Sequence, residues 1–227
     1  EDLAASAQVT FEKELLNIID KYCKHPNLVY MGGCALNCTA NSKIKNKNIW
    51  IMPNPGDAGS SLGAAALAYG KKLNWKEPYL GYEIKKKVNP KSIAHYIIDH
   101  HICGVANGRA EFGPRAFGNR SLLADPRIDI KDTVNAIKRR QKFRPFAPAI
   151  LEEFADEYFE GPMNEYMQFV AQAKHDSSIL RPILEEFYEL TGVPMLLNTS
   201  LNIKGKPMVN NEFDADEFQD KYKVKVF

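Results

Sequence analysis

The sequence predicts a mixed α/β protein, and three observations carry that expectation. An amphipathic helix opens the chain, two short apolar strands follow at 28–31 and 49–52, and each strand ends on a glycine turn leading into a helix. Across residues 2–24, Leu3, Ala7, Phe11, Leu15, Ile18, Ile19 and Tyr22 recur at helical intervals. The strand at 28–31 (LVYM) stops at Gly32 and Gly33, and CALNCTANSKI can then run as a helix. The strand at 49–52 (IWIM) is closed by Pro53 and Pro55, which cannot donate to a ladder. Gly56-Asp57-Ala58-Gly59 then opens the small-residue helix SSLGAAALAYGKKL.

Residues 74–90 break this rhythm with two prolines, several aromatics and a lysine run, the composition of a crossing between domains. Beyond it we expect a helix at 91–100, a strand at 102–106 and a basic, glycine-bearing stretch from 108 to 127. A helix at 131–140, an extended segment at 146–151, helices at 152–159 and 182–191, and a strand at 193–197 delivering NTSLN complete the reading. There is no internal repeat.

Thirty Lys and Arg against 28 Asp and Glu leave a net charge of +2, too small to argue for a nucleic-acid partner, which is not expected. No apolar run approaches the roughly 20 residues that cross a bilayer, and the amino terminus reads as a helix, not a signal sequence. A cytoplasmic enzyme or binding protein is the expectation. Four cysteines make no disulfide framework in 227 residues. Cys34 and Cys38 have no second pair at zinc spacing, so they read as packing residues, and free thiols fit a reducing compartment. None of the five histidines is paired i, i+4 with another.

Three stretches could carry chemistry. The turns MGGCALN and NPGDAGSSLGAA sit where strand meets helix, where glycine admits a ligand and exposed amides favour phosphate. Asp57 there could hold a metal or a ribose, or the turns could serve only tight strand–helix packing. Between Gly104 and Phe146 ten Lys and Arg face four acids, a local excess of +6. Arg109, Arg115 and Arg120 are interleaved with glycine and proline, so several guanidinium forks can be aimed at one point, as phosphate or carboxylate binding requires. A plain basic surface is the alternative; the aromatic alternation of base-stacking surfaces is lacking. In NTSLN, Asn198, Thr199 and Ser200 could hold ligand oxygens or cap the next turn.

Together the strings GGCALNCTANSKI, PNPGDAGSSLGAA, GRAEFGPRAFGNRSLLADPR, KFRPFAPAIL and TGVPMLLNTSLNIKGKP resemble the carbamoyltransferase family typified by NodU and by enzymes that carbamoylate antibiotics. The resemblance runs through nearly the whole chain. It implies an α/β (α+β) architecture in two parts: residues 1–80 as the end of an actin-like ATPase-type (ASKHA) domain, and 85–227 as a YrdC-like domain. It also implies ATP-dependent O-carbamoyl transfer, in which carbamoyl phosphate is converted through a carbamoyl-adenylate and the carbamoyl group passes to the hydroxyl of a small-molecule acceptor. On that resemblance Gly32, Gly33 and Asn37 border the adenosine, with Gly56 and Gly59 beside them. Arg109, Arg115 and Arg120 serve the nucleotide and phosphates with Asn198 and Thr199. Lys138, Arg144 and Ser200 are the catalytic candidates, and Asp57 ligates a metal, iron or another divalent ion, with Mg accompanying ATP.

Two departures stand beside the resemblance. The family's HxxxH histidine pair, which shares the metal with the aspartate, belongs to an amino-terminal portion absent here, so the rest of that domain is an expected partner. The interval AQAKHDSSILR is shorter than the family's, and the closing KYKVKVF fits poorly onto the acidic helix before it, as if stretches were skipped. A threonylcarbamoyl-adenylate enzyme of tRNA modification and a nucleotide-binding module without turnover are the competing readings. The acceptor is not readable from sequence, and a homodimer stays open.

Overall fold

A computed structural model describes residues 2–144, 146–164, 166–169, 172–174 (backbone only) and 179–227. Its amino-terminal part is helix α1 (Asp2–Tyr22), strand β1 (Asn27–Val29), a 3-10 turn (Gly33–Leu36), helix α2 (Cys38–Asn41) and strand β2 (Asn48–Trp50). A second 3-10 turn (Asp57–Gly59) leads into helix α3 (Ser60–Tyr69), which stops at Gly70 in the left-handed conformation. Strands β1 and β2 pair in parallel, Leu28 opposite Ile49. The 3-10 turn interrupts the helix expected through CALNCTANSKI, so Cys34 and Cys38 do not share one helical face.

The larger part begins with strand β3 (Glu83–Ile84) and helix α4 (Pro90–His100). Asn89 caps α4 by accepting from the Lys91 and Ser92 amides, and Pro90 sits at its first turn, where no donor is lost. Strands β4 (Ile102–Ala106), β5 (Gly108–Arg109) and β6 (Arg120–Ala124), helix α5 (Lys131–Ile137), strand β7 (Ala147–Leu151) and helix α6 (Ala155–Tyr158) follow. Strand β8 (Gln172–Lys174), helix α7 (Leu180–Thr191), strand β9 (Met195–Ser200) and helix α8 (Glu212–Tyr222) complete it. The main sheet has the order β4-β6-β9-β7-β8, antiparallel except for the parallel pair β7–β8, and β3 pairs with β5.

Both faces of the sheet are covered. Ile93 and Ile97 of α4 and Ile183, Leu184 and Phe187 of α7 pack with Val105, Leu123 and Leu196 on one side. Val134 of α5 and Ala215 and Phe218 of α8 pack with Leu122 and Ala124 on the other. Leu122 and Leu123 thus serve opposite cores, the period-two consequence of a strand buried on both faces.

The mixed α/β expectation agrees with this architecture, and three local expectations need correction. The stretch 108–127, given no strand from the sequence, contains β6, the sheet's second strand. The helix expected to 140 ends at Ile137, and the strand expected to stop at 197 runs through Ser200. The terminal KYKVKVF is a docked edge, not a misfit. Lys223 ends α8 in the left-handed conformation (φ 55°), Val224 and Val226 are buried, and the tail pairs with Gly104 through Gly104 N to Lys225 O at 2.8 Å and Phe227 N to Gly104 O at 3.0 Å. Within the interval 171–181, residues 171 and 175–178 lie outside the described residues.

The two parts meet along a polar seam. Asn41 Nδ2 donates to Gln168 O at 2.9 Å, and Gln168 Nε2 donates to Ile51 O at 2.7 Å and Met52 O at 3.1 Å, all buried. Gly113 has φ +150°, and a Cβ there would lie 2.7 Å from Pro53 O. Gly113→Ala should therefore destabilise the protein by about 2 kcal/mol, through backbone strain plus a carbonyl clash. Urea unfolding checks this, and an unchanged midpoint would contradict the close approach.

Candidate anion-binding site

The arginine loop between β5 and β6 folds around an acid. Buried Glu111 accepts through Oε1 from the amides of Phe117 (2.8 Å), Asn119 (2.9 Å) and Arg120 (3.3 Å). Burial raises the pKa of its carboxyl, and the loop amides and the Arg120 charge only partly offset that. The loop is held from the sheet by Asn198 Nδ2 donating to Ala116 O at 3.0 Å, and at its tip Arg115 Nη2 reaches Leu36 O at 2.8 Å.

Along the seam run three adjoining cavities that share lining residues. One of about 490 Å³ has Gly56, Asp57, Ser200 and Asn202 on its walls. The next, about 730 Å³, shares Ser200 and Asn202 and adds Lys138, Arg140, Arg144 and Lys204. A third, about 340 Å³, shares Arg140 and Arg144 and adds Asn37, Arg115, Phe146, Asn198 and Thr199. Residues remote in sequence, from α2, the arginine loop, the segment after α5 and the end of β9, are thus brought to one groove.

Of the residues expected at the site, Asn37, Gly56, Asp57, Arg115, Lys138, Arg144, Asn198, Thr199 and Ser200 line this groove. Asn37 also caps α2, accepting from Ala40 N at 3.1 Å, and exchanges hydrogen bonds with Gln8 of α1. Gly32 and Gly33 have open space where a Cβ would stand, whereas a Cβ on Gly59 would meet Asn54 O at 1.8 Å. Gly59 therefore serves close backbone packing. Arg109 faces a different cavity, beside Glu77 and Asn119, and donates to Leu80 O at 3.0 Å. Arg120 does not line the groove: it is wholly buried, and its two terminal nitrogens donate to the carbonyls of Tyr82, Asn107, Gly108, Asn119 and Asn210. Its guanidinium is committed to tying the arginine loop to the segments around β3 and before α8.

Around Lys138, Arg140 and Arg144 the groove is cationic. Among the described residues, no carboxylate lies within ion-pair distance of Arg115, Lys138, Arg140 or Arg144. Lys138 Nζ donates to Ser200 O at 2.5 Å, Asn202 O at 3.3 Å, Ser200 Oγ at 3.4 Å and Asn202 Oδ1. Burial, reinforced by Arg140, pushes the ammonium down to about 7. Arg140 is pushed down to about 10 by burial and by Arg144. Cations that lose basicity through burial beside another cation are poised to gain from an anion.

Arg140 and Asn202 do not stand out in the sequence. Arg140 is one basic residue among ten, and only its place against Phe146, Cζ 4.0 Å from the ring centroid, separates it from its neighbours. For a metal the fit is poor. Asp57 is the one carboxylate among the described residues lining these cavities, and no group of three His, Cys, Asp or Glu side chains able to hold a metal occurs among the described residues. A single carboxylate is not a cation site, so no step is routed through a metal here.

Two family models match most of the chain. The model described as "Carbamoyltransferase C-terminus" matches residues 94–180 and 173–227, and "Carbamoyltransferase N-terminus" matches residues 1–66. The chain belongs to the carbamoyltransferase family. The two pieces of the C-terminal match meet at 173–180, within the interval that reads as short in the sequence. Among similar proteins, an uncharacterized protein of Methanocaldococcus jannaschii is 34% identical, covering 92% of this chain and 51% of the relative. Nodulation protein NolNO of Sinorhizobium fredii is 32% identical (94% and 41%), and Nodulation protein U of Bradyrhizobium diazoefficiens is 31% identical (91% and 45%). The chain spans about half the length of the curated relatives it matches. No helix among the described residues is long and apolar enough to cross a membrane.

Proposed function

We propose that this chain forms the anion- and nucleotide-handling part of an ATP-dependent O-carbamoyltransferase. Carbamoyl phosphate occupies the groove and is cleaved by water to carbamate and phosphate; the carbamate attacks the α-phosphate of ATP, giving a carbamoyl-adenylate and releasing pyrophosphate. A hydroxyl of a small-molecule acceptor then attacks the carbamoyl carbon, gives up its proton and expels AMP. The observation that carries this reading is the convergence of Arg115, Lys138, Arg140 and Arg144 on adjoining cavities, none of them in an ion pair with a carboxylate among the described residues. Guanidinium forks match a phosphate bidentately, and cations around a leaving phosphate stabilise charge that grows in the transition state. The Ser200 hydroxyl donates to Asn202 Oδ1 at 2.8 Å, an amide oxygen too weakly basic to take its proton. With Lys138 Nζ 3.4 Å from its oxygen, this hydroxyl is placed to hold a ligand oxygen in the groove.

In this reading residues 1–80 are the end of an actin-like domain, and 85–227 form a YrdC-like one. Helix α3 buries none of its residues within the chain, and Val29, Trp50, Leu67 and Tyr69 are exposed, an apolar surface that suits packing against the remaining length found in the relatives. A cytoplasmic setting supplies the ATP and suits the free cysteines.

The test is to mix the chain with ATP and carbamoyl phosphate and follow pyrophosphate. Release without threonine or tRNA is expected; release that requires threonine would move the chain to the tRNA-modification class. Binding without release would favour a second reading, a module that binds without turnover. Arg144→Glu should weaken carbamoyl phosphate binding about 100-fold in calorimetry, since it loses one charge-assisted hydrogen bond and adds a repulsive charge. Unchanged affinity would remove Arg144 from the site.

A further inference from the structure

Asn135 is wholly buried and commits its entire amide to the segment that follows it. Its Oδ1 accepts from Arg140 Nε at 2.6 Å, and its Nδ2 donates to the carbonyls of Lys142 and Arg144, both at 3.2 Å. Its backbone carbonyl accepts from Arg140 N at 3.0 Å. Four hydrogen bonds from one residue thus shape the loop that carries Arg140 and Arg144 into the groove. Arg140 is restrained a second time by the Phe146 ring beneath its guanidinium. With Nε tied and one face laid on an aromatic, the fork is left with its terminal nitrogens as the free end. Its Nη2 is shielded from solvent, yet meets no hydrogen-bond partner among the described residues. A shielded donor without a partner is uncommon in a folded protein and marks a place where something else binds.

We propose that Arg140 binds the phosphate-type anion held in this groove, and that Asn135 is the positioning residue that aims it. The proposal rests on the acyl-phosphate reading of the groove. The lowered basicity of Arg140 is in keeping with it, because burial beside Arg144 disfavours the charged form until an anion arrives. Asn135 does not reach the ligand. It acts through the fork and through the backbone of residues 142–144.

Calorimetric titration with carbamoyl phosphate, and separately with inorganic phosphate, tests this on the whole chain, Arg140→Gln, Asn135→Ala and the double variant. Arg140→Gln should bind about 30-fold more weakly and Asn135→Ala about 10-fold, as expected when a charge-assisted hydrogen bond is removed in the first case and misaligned in the second. In the double variant the Asn135 change should add no more than about 3-fold to the effect of Arg140→Gln, because both act through one interaction. A merely structural Asn135 would lower the melting temperature and leave the two effects multiplying in full, which would remove its positioning role. Should Asn135→Ala fold poorly, Arg140→Lys, which keeps the charge without the fork, should still bind about 10-fold more weakly. Wild-type affinity in Arg140→Gln or Arg140→Lys overturns the proposal and leaves the groove's function standing. Absence of binding by the unaltered chain overturns both.

Discussion

Arg120→Met is expected to destabilise the protein by about 4 kcal/mol or more, enough to leave little folded chain at 37 °C. Six hydrogen bonds from its two terminal nitrogens hold five carbonyls, and a methionine of similar length leaves those acceptors buried without a donor. Burial lowers the basicity of the guanidinium, and the charges of Glu111, Glu212 and Asp214 raise it again, so removing it also removes the counter-charge that steadies buried Glu111. Urea unfolding followed by circular dichroism should show a midpoint about 2 M lower, given a slope of roughly 2 kcal/mol/M for a chain of this size. A destabilisation under about 1 kcal/mol, with carbamoyl phosphate binding abolished, would return Arg120 to the ligand site.

The second large effect is at Lys138. With its ammonium near 7 before a ligand arrives, a bound dianion should raise that value and draw in a proton. Affinity for carbamoyl phosphate is therefore expected to fall between pH 7 and pH 9, by up to about tenfold per unit until the pKa of the bound state is passed. Titrations at pH 8 in buffers of different ionisation enthalpy should report net proton uptake. Lys138→Met should abolish the uptake and weaken binding about 100-fold at pH 7. A flat pH profile in the unaltered protein would show that Lys138 keeps its charge or stands away from the anion. The same shift has a signature in folding. The unfolded lysine titrates near 10.5 and the folded one near 7, so between those values the unfolded chain binds more protons. The contribution of Lys138 to stability thus improves as pH rises through that window, and its full penalty is present below pH 7.

Much of the fold was legible from local pattern. Helix α4 was legible at 91–100, although Asn89 and Pro90, which start it, fell in the stretch read as a crossing, and β1, β2 and β4 were legible as short apolar runs. Strand β6 was not, because RSLLA is flanked by charge and glycine, and its burial depends on neighbours 20 and 75 residues away. The terminal YKVKV carried a period-two alternation that the acidic helix before it obscured. Its partner is Gly104, far upstream.

The candidate site divides in the same way. Sequence alone determined the family motifs, the +6 surplus between Gly104 and Phe146, and the residue types suited to an anion, since composition and order are properties of the chain itself. Only the tertiary structure decided which cations serve a ligand and which serve the protein. Arg115 in the arginine loop and Arg120 at the start of β6 stand five apart, yet one reaches the groove and the other is spent on five carbonyls. The reason is physical: a guanidinium must be satisfied by whatever surrounds it, and its surroundings are set by strand register and by the seam between the two parts of the chain.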